Sequence, residues 1–281
     1  MTLPAGARVA LLEARLASEM AELVRREGGE PVCAPAVYEA RLDVTAIIPA
    51  LISNIRRGHI KFVVCLTGAG LASLFAQADD IGLLANLVDA LSGATTVVRG
   101  PKPAAVLRRH DIPVRVGVQP PHTTTELLAA IAMLSLEGEG ALVVCDGSET
   151  SALVQALLGR GARVQMMRTY RWELPRDLVP IEQLVHRLID DRVDAVAFTT
   201  QVQVRHLFAI ADRLHLREAL CHALNHQTIV GSIGPTCSTV LEEFGVVPHV
   251  VASPPRMRPL ITAIGAHLTA REHASGKASA A

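Results

Sequence analysis

FVVCLTGAGLASLF, running from Phe62 to Phe75, and AVAFTTQVQVRHLF, running from Ala195 to Phe208, decide the fold class. Each opens on an unbroken apolar run, crosses a threonine-containing turn and continues with helical spacing. Such runs mark strands buried on both faces, which belong to parallel sheets covered by helices. Each stretch is followed by a second strand that ends in a Gly-Pro turn: TVVRGPKPAAVLRRHDI from Thr96, and VGSIGPTCSTVLEEFGV from Val230. The distance from Thr67 to Gly100 nearly equals that from Thr199 to Gly234, so the halves keep register. With only two copies, a duplicated α/β half-domain is expected rather than a solenoid.

Working outward, the same pattern places strands at Arg8–Leu12, Thr95–Val98, Pro113–Val116, Ala141–Cys145, Ile229–Ile233 and His249–Ala252. A helix is expected over Ala17–Glu27, ended by Gly28 and Gly29. Prolines at 31 and 35 assign Pro31–Tyr38 to an edge or a linker, because a central strand needs every N–H. Arg163–Trp172 is again extended. From Arg271 the residues are small and polar, and a frayed tail over 271–281 is expected.

The chain has 281 residues, of which 50% are hydrophobic, enough for two cores. Lys plus Arg and Asp plus Glu both number 27, so no basic field gathers nucleic acid or an anionic membrane. Only 3% of residues are aromatic, leaving few platforms for stacked bases or flat cofactors. The five cysteines are scattered without CxxC spacing, which fits a reduced, cytoplasmic setting. No apolar run reaches the roughly 20 residues of a membrane helix, and the start lacks an export signal.

Chemistry is expected at the turns. At each Gly-Pro turn the proline falls near the first helical position, and free first-turn amides with the helix dipole make an anion site. The turns Thr67-Gly68 and Thr199-Thr200-Gln201 add hydroxyls at the same carboxyl edge, where open α/β sheets bind ligands. Taken singly, such turns read as ordinary strand-to-helix connections; four in register bring a ligand-binding reading level with that one. In MRTYRWELPRD, Met167–Asp177, Tyr170 and Trp172 stand beside Arg168 and Arg171 in an apparent connector. A neutral phenol such as Tyr170 can donate to a departing hydroxyl, whereas Trp172 reads as hinge packing.

Four segments, RGPKPAAVLRRHDI (Arg99–Ile112), TYRWELPRD (Thr169–Asp177), DAVAFTT (Asp194–Thr200) and SIGPTCSTVLEEFGV (Ser232–Val246), together resemble uroporphyrinogen-III synthases, with similarity from about Arg8 to Leu268. The resemblance implies two similar parallel-sheet α/β domains of flavodoxin-like kind joined by a two-stranded extended linker. The first would be discontinuous, 1–34 plus 174–268, and the second inserted, 40–164, with linkers at 31–38 and 163–173. It implies closure of hydroxymethylbilane to uroporphyrinogen III, with inversion of the last pyrrole and no metal or organic cofactor. It further implies that Tyr170 assists hydroxyl departure. The substrate would be held at Thr67, Gly68, Gly100, Lys102, Asp146, Gly147, Thr199, Thr200, Gln201, Gly234, Thr236 and Cys237. A monomer is expected, since such a cleft needs no partner subunit. Departures are Leu66-Thr67-Gly68 for the family's Phe-Thr-Ser turn, Cys237 for its second hydroxyl, and Glu13-Ala14-Arg15 for its Thr-Arg, which leaves the role of Arg15 open.

Three other signals are weaker. Gly68 to Ser73 imitates a dinucleotide fingerprint but lacks the third glycine and the distal acid. Cys221, His222 and His226 read as a solvated helix face rather than a zinc site. Asp146-Gly147-Ser148-Glu149 has no histidine partner for nucleophilic chemistry. The rival functions are a non-catalytic tetrapyrrole or small-anion sensor on the same frame, and an enzyme for another polycarboxylate.

Overall fold

The computed structural model describes residues 2–145 and 151–278, and for side chains not those of 151 or 274–278. In chain order it begins with β1 (Arg8–Leu11), α1 (Ala17–Arg26), β2 (Glu30–Cys33) and β3 (Tyr38–Arg41). There follow α2 (Ile48–Arg56), β4 (Phe62–Cys65), α3 (Gly68–Asp80), α4 (Leu84–Gly93), β5 (Thr95–Val98), α5 (Pro101–Arg109) and β6 (Val116–Gly117). Next are α6 (Thr124–Ala130), β7 (Gly140–Cys145), α7 (Ser151–Gly159), β8 (Arg163–Arg168) and β9 (Tyr170–Glu173). The chain continues with α8 (Val179–Ile189), β10 (Ala195–Phe198), α9 (Gln201–Arg213), α10 (Arg217–His226), β11 (Ile229–Ser232), α11 (Pro235–Glu243), β12 (Val250–Val251) and α12 (Met257–Ala278).

Two compact units result, one taking the chain up to Tyr38 and from Glu173 onward, the other taking Glu39–Trp172. In the first unit the sheet runs β12-β11-β10-β1-β2, and in the second β6-β5-β4-β7-β8. Their strand pairings are parallel throughout. The two sheets are the same arrangement entered at different strands. The first unit's chain starts at β1, inside the sheet, whereas the second starts at β4 and reaches the matching β7 later. In both, the strand order reverses at the sheet's middle, between β1 and β10 and between β4 and β7, and open α/β sheets bind ligands outside the carboxyl ends at such a reversal.

Alternate residues of the central strands feed opposite cores. On β4, Val63 and Cys65 pack among α2, α3, α4 and α5, while Phe62 and Val64 pack towards α6 and α7. On β10, Val196 and Phe198 join the α8 to α11 side, and Ala195 and Ala197 the α1 and α12 side. Both faces are therefore dry, which is why the sequence shows runs rather than alternation.

Several boundaries differ from expectation. Of the two expectations for Pro31–Tyr38, edge or linker, Pro31 takes the first: it lies in β2, an edge strand registered on β1, where its missing N–H leaves no ladder bond unmade. A separate two-stranded pair is formed by β3 and β9. The run Arg163–Trp172 divides at buried Thr169, so that β8 edges the second sheet and β9 pairs with β3. The strand expected at Pro113–Val116 begins only at Val116, since the Pro113 carbonyl turns to accept the Thr96 hydroxyl. Helix α12 continues through Arg271 to Ala278 in place of a frayed tail from 271; the Arg271 guanidinium reaches the Gln227 carbonyl at 2.6 Å. Among the described residues no helix is long and apolar enough to cross a membrane.

Candidate functional site

In the second unit, β4 hands the chain to α3 through Thr67. This residue is extended, with φ −132° and ψ 143°, and its Oγ1 accepts the Gly70 N–H at 3.0 Å, an N-cap that fixes the helix start. Beside it, β5 hands the chain to α5 through Gly100, with Pro101 at the first helical position. Cys65 is registered on Val98, and the Arg99 N–H reaches the Cys65 carbonyl at 3.2 Å, so the Thr67 and Gly100 turns emerge side by side. The helices meet closely: a Cβ on Gly68 would lie 3.0 Å from the Lys102 carbonyl carbon. A groove of about 350 Å³ follows, lined by Gly68, Ala69, Ala72, Lys102, Ala105, Val106 and Arg109. A larger hollow of about 490 Å³ includes Gly140 and Arg163, the first residues of β7 and β8, and so marks the opposite edge of the sheet.

Tyr170 joins this turn. Its ring is buried and packs edge-on to Trp172, with centroids 5.4 Å apart. Its hydroxyl donates to Thr67 Oγ1 at 3.3 Å, placing the phenol at the start of α3. The sequence-derived residues Thr67, Gly68, Lys102 and Tyr170 thus come together, with Gly100 in the adjacent turn. The amide supply is smaller than expected at α5. Pro103 as well as Pro101 lacks an N–H, which leaves Lys102 as the one first-turn donor before the Ala104 N–H returns to the Gly100 carbonyl. The first turn of α3 keeps two, Gly68 and Ala69, that no hydrogen bond between described residues uses.

The first unit repeats the layout. Phe198 is registered on Ser232, and the Ile233 N–H reaches the Phe198 carbonyl at 2.9 Å, as Arg99 does to Cys65. Thr200 caps α9 with Gln203 in a capping box, and the Gln203 amide oxygen also accepts the Thr199 N–H at 2.8 Å. Thr199 Oγ1 donates to the Glu13 carboxylate across the reversal between β1 and β10. That carboxylate disfavours an anion at this point, so the Gln201 and Val202 amides of the next turn suit one better.

Gly234 precedes α11, and its carbonyl accepts the Cys237 and Ser238 N–H groups at 3.1 Å. Ser238 Oγ lies 2.9 Å from Ser232 Oγ and donates to the same carbonyl at 3.2 Å. The Thr236 N–H stays outside these bonds. Cys237 departs from expectation, because its side chain is buried and its Sγ donates to the Phe198 carbonyl. Burial pushes that thiol up to about 11, partly opposed by hydrogen bonding to Ser232. With its N–H also committed, Cys237 braces the turn.

Asp146 and Gly147 lie outside the described residues. His222 and His226 share a face of α10 with ring centroids 4.6 Å apart, and among the described residues no group of three His, Cys, Asp or Glu is placed to hold a metal ion. Sequence reasoning missed Glu13, Gln203, Ser232, Ser238 and Thr169. It also missed His122, whose ring carbon Cγ lies 3.5 Å from where a Gly100 Cβ would stand. Only Gln203 carried a local signal, the Thr-x-x-Gln of a capping box.

A family model described as HEM4, uroporphyrinogen-III synthase HemD, matches residues 18–262. An uncharacterized protein of Bacillus subtilis (strain 168), YjjA, is 27% identical over 267 residues, covering 95% of this chain and 98% of its own. A crystal structure of a mutant uroporphyrinogen III synthase from the extremely thermophilic bacterium Thermus thermophilus matches with a TM-score of 0.71 and 27% identity. The match covers 97% of this chain and 100% of that one. The wild-type protein in another crystal form gives a TM-score of 0.56 at 26% identity, with 95% and 99% covered.

Proposed function

This chain belongs to the uroporphyrinogen-III synthase family, and from that membership we propose how its turns divide the work of closing hydroxymethylbilane to uroporphyrinogen III. The reaction is that of a cyclising lyase: the terminal hydroxyl leaves as water, the last pyrrole inverts, and the macrocycle closes. A flexible, heavily carboxylated chain must be held in one folded pose, so the protein contributes mainly orientation. We assign the acetate and propionate groups to the amides of Gly68, Ala69 and Lys102 in the second unit and of Gln201, Val202 and Thr236 in the first. Main-chain donors at helix starts hold anions without a net basic charge, consistent with equal numbers of acidic and basic residues.

The observation that carries this reading is the Tyr170 hydroxyl on Thr67 Oγ1 at the start of α3. A phenol there can turn from Thr67 to the departing hydroxyl, donating as the C–O bond breaks. The protein acts as a cytoplasmic monomer in this reading, with the linear tetrapyrrole as its partner and no nucleic acid.

The test is incubation with hydroxymethylbilane, oxidation, and separation of the porphyrin isomers. Type III product is expected. Uncatalysed closure gives type I, so type I alone from well-folded protein rejects the activity and leaves a tetrapyrrole-binding role.

A further inference from the structure

Seven polar residues are buried among those described, and two of them, Gln77 and Thr169, belong to one connected network along α3. Gly70, Ser73 and Gln77 fall at helical spacing on one face of that helix, where an apolar stripe would ordinarily face the core. The wholly buried Gln77 amide accepts the Val44 N–H at 2.8 Å and donates to the Leu42 carbonyl at 3.1 Å and to Ser73 Oγ at 3.2 Å. Ser73 Oγ donates to the Thr169 carbonyl at 3.4 Å, which also accepts the Leu42 N–H at 2.9 Å. The wholly buried Thr169 hydroxyl donates to the Gly70 carbonyl at 2.9 Å. Three residues along the helix, Thr67 meets the Tyr170 hydroxyl.

A helical carbonyl already accepts the N–H four residues on, so the Gly70 carbonyl does not need Thr169 for its own satisfaction. The bond instead ties the residue preceding Tyr170 to the turn that Tyr170 touches. Gln77 ties the segment after β3, which pairs with β9, to the same helix. Polar groups fully removed from water are costly unless bonded, and once bonded they admit few alternative arrangements.

We propose that Thr169 and Gln77 are positioning residues that hold the Tyr170 hydroxyl at the α3 start, where it meets the leaving group. The proposal rests on the reading of Tyr170 as the group that assists hydroxyl departure. Neither positioning residue touches the substrate, and both act through Tyr170.

The experiment is a mutant cycle on the full-length protein with hydroxymethylbilane as substrate, reading kcat, KM and the type III fraction. Thr169→Val keeps the branched shape and removes the hydroxyl. It is expected to lower kcat by about 10- to 100-fold with KM within about twofold, because misplacement of a catalytic group is felt in the transition state. Thr169→Ser keeps the donor and is expected to stay within about threefold of the parent.

In a Tyr170→Phe background, itself lowered by about 100-fold or more, Thr169→Val should add less than about twofold. Gln77→Met fills similar space without the amide and should repeat the pattern, which keeps the test valid if Thr169→Val does not fold. Losses that multiply in the Tyr170→Phe background, or that fall on KM, overturn the positioning role and leave the Tyr170 reading intact. Full activity of Tyr170→Phe rejects that reading and the proposal with it.

Discussion

Gly70 shows how little space surrounds the phenol. A Cβ there would stand 2.8 Å from Thr67 Oγ1 and 3.5 Å from both Tyr170 Cε1 and Thr169 Oγ1. Alanine is favoured over glycine by up to about 1 kcal/mol in a helix interior and by less in a first turn, so the substitution carries a small stabilising offset. The crowding falls on the cap hydroxyl and the ring, which can shift by a few tenths of an ångström without unfolding the sheet. Gly70→Ala is therefore expected to change Tm by only a few degrees while lowering kcat by about tenfold or more. Thermal melting beside steady-state kinetics checks this, and an unchanged kcat would show that the tyrosine tolerates displacement. The same scale marks where sequence legibility ends. Cys237 occupies the family's hydroxyl position and so reads as a ligand, but one helical step of about 100° turns it into the core and leaves Ser238 on the turn. Spacing along a chain does not specify which side of a first turn a residue takes.

Elements meet at their ends, and the start of β10 is tied to β1 by one ion pair. Asp194 accepts the Arg8 backbone N–H at 2.7 Å, Nε at 3.0 Å and Nη2 at 2.8 Å. Burial opposes ionisation of Asp194, but the hydrogen bonds and charge of Arg8 outweigh it and hold the carboxyl below its usual value. A carboxylate with a depressed folded pKa contributes stability above its unfolded value near 4, and that stability is lost as pH falls through the folded one. Asp194→Asn is thus expected to lose about 1 kcal/mol at most at pH 7, since both side chains are about a third exposed and solvent screens them. The deficit should persist down to about pH 5 and shrink below about pH 4. Urea unfolding across that range decides it, and a deficit constant with pH would assign the loss to packing. Strands and helices of this kind were legible because burial on both faces writes itself as apolar runs. The linkers were less so: nothing local distinguishes Arg163–Arg168, which edges a sheet, from Tyr170–Glu173, which pairs with β3. The division falls at Thr169, whose bonds are made to residues far away in sequence.

At the scale of the whole molecule the duplication was legible from the residues, whereas the different point of entry into each sheet came only through the family resemblance, because β1 pairs with β10 across most of the chain. That difference has a physical consequence. Every member of the second unit's two apolar clusters lies between Val44 and Met167, on a continuous stretch of chain. The first unit's clusters draw on Leu3–Ala36 and on Ile181–Leu268, so that unit needs both segments at once. The second unit also begins in β3 and ends in β9, which pair, and adjacent ends are what an inserted domain requires. Residues 39–172 expressed alone are therefore expected to fold, with a helical circular dichroism spectrum and one cooperative melt. The fragment keeps Thr67, Lys102 and Tyr170 yet lacks Thr199, Gln201 and Thr236, so it should give only the type I isomer from hydroxymethylbilane. A fragment that fails to melt cooperatively would show that the second core depends on the rest of the chain. Type III product from the fragment would show that the first unit's turns are not needed to hold the substrate, and the assignment of carboxylates to both units would fall.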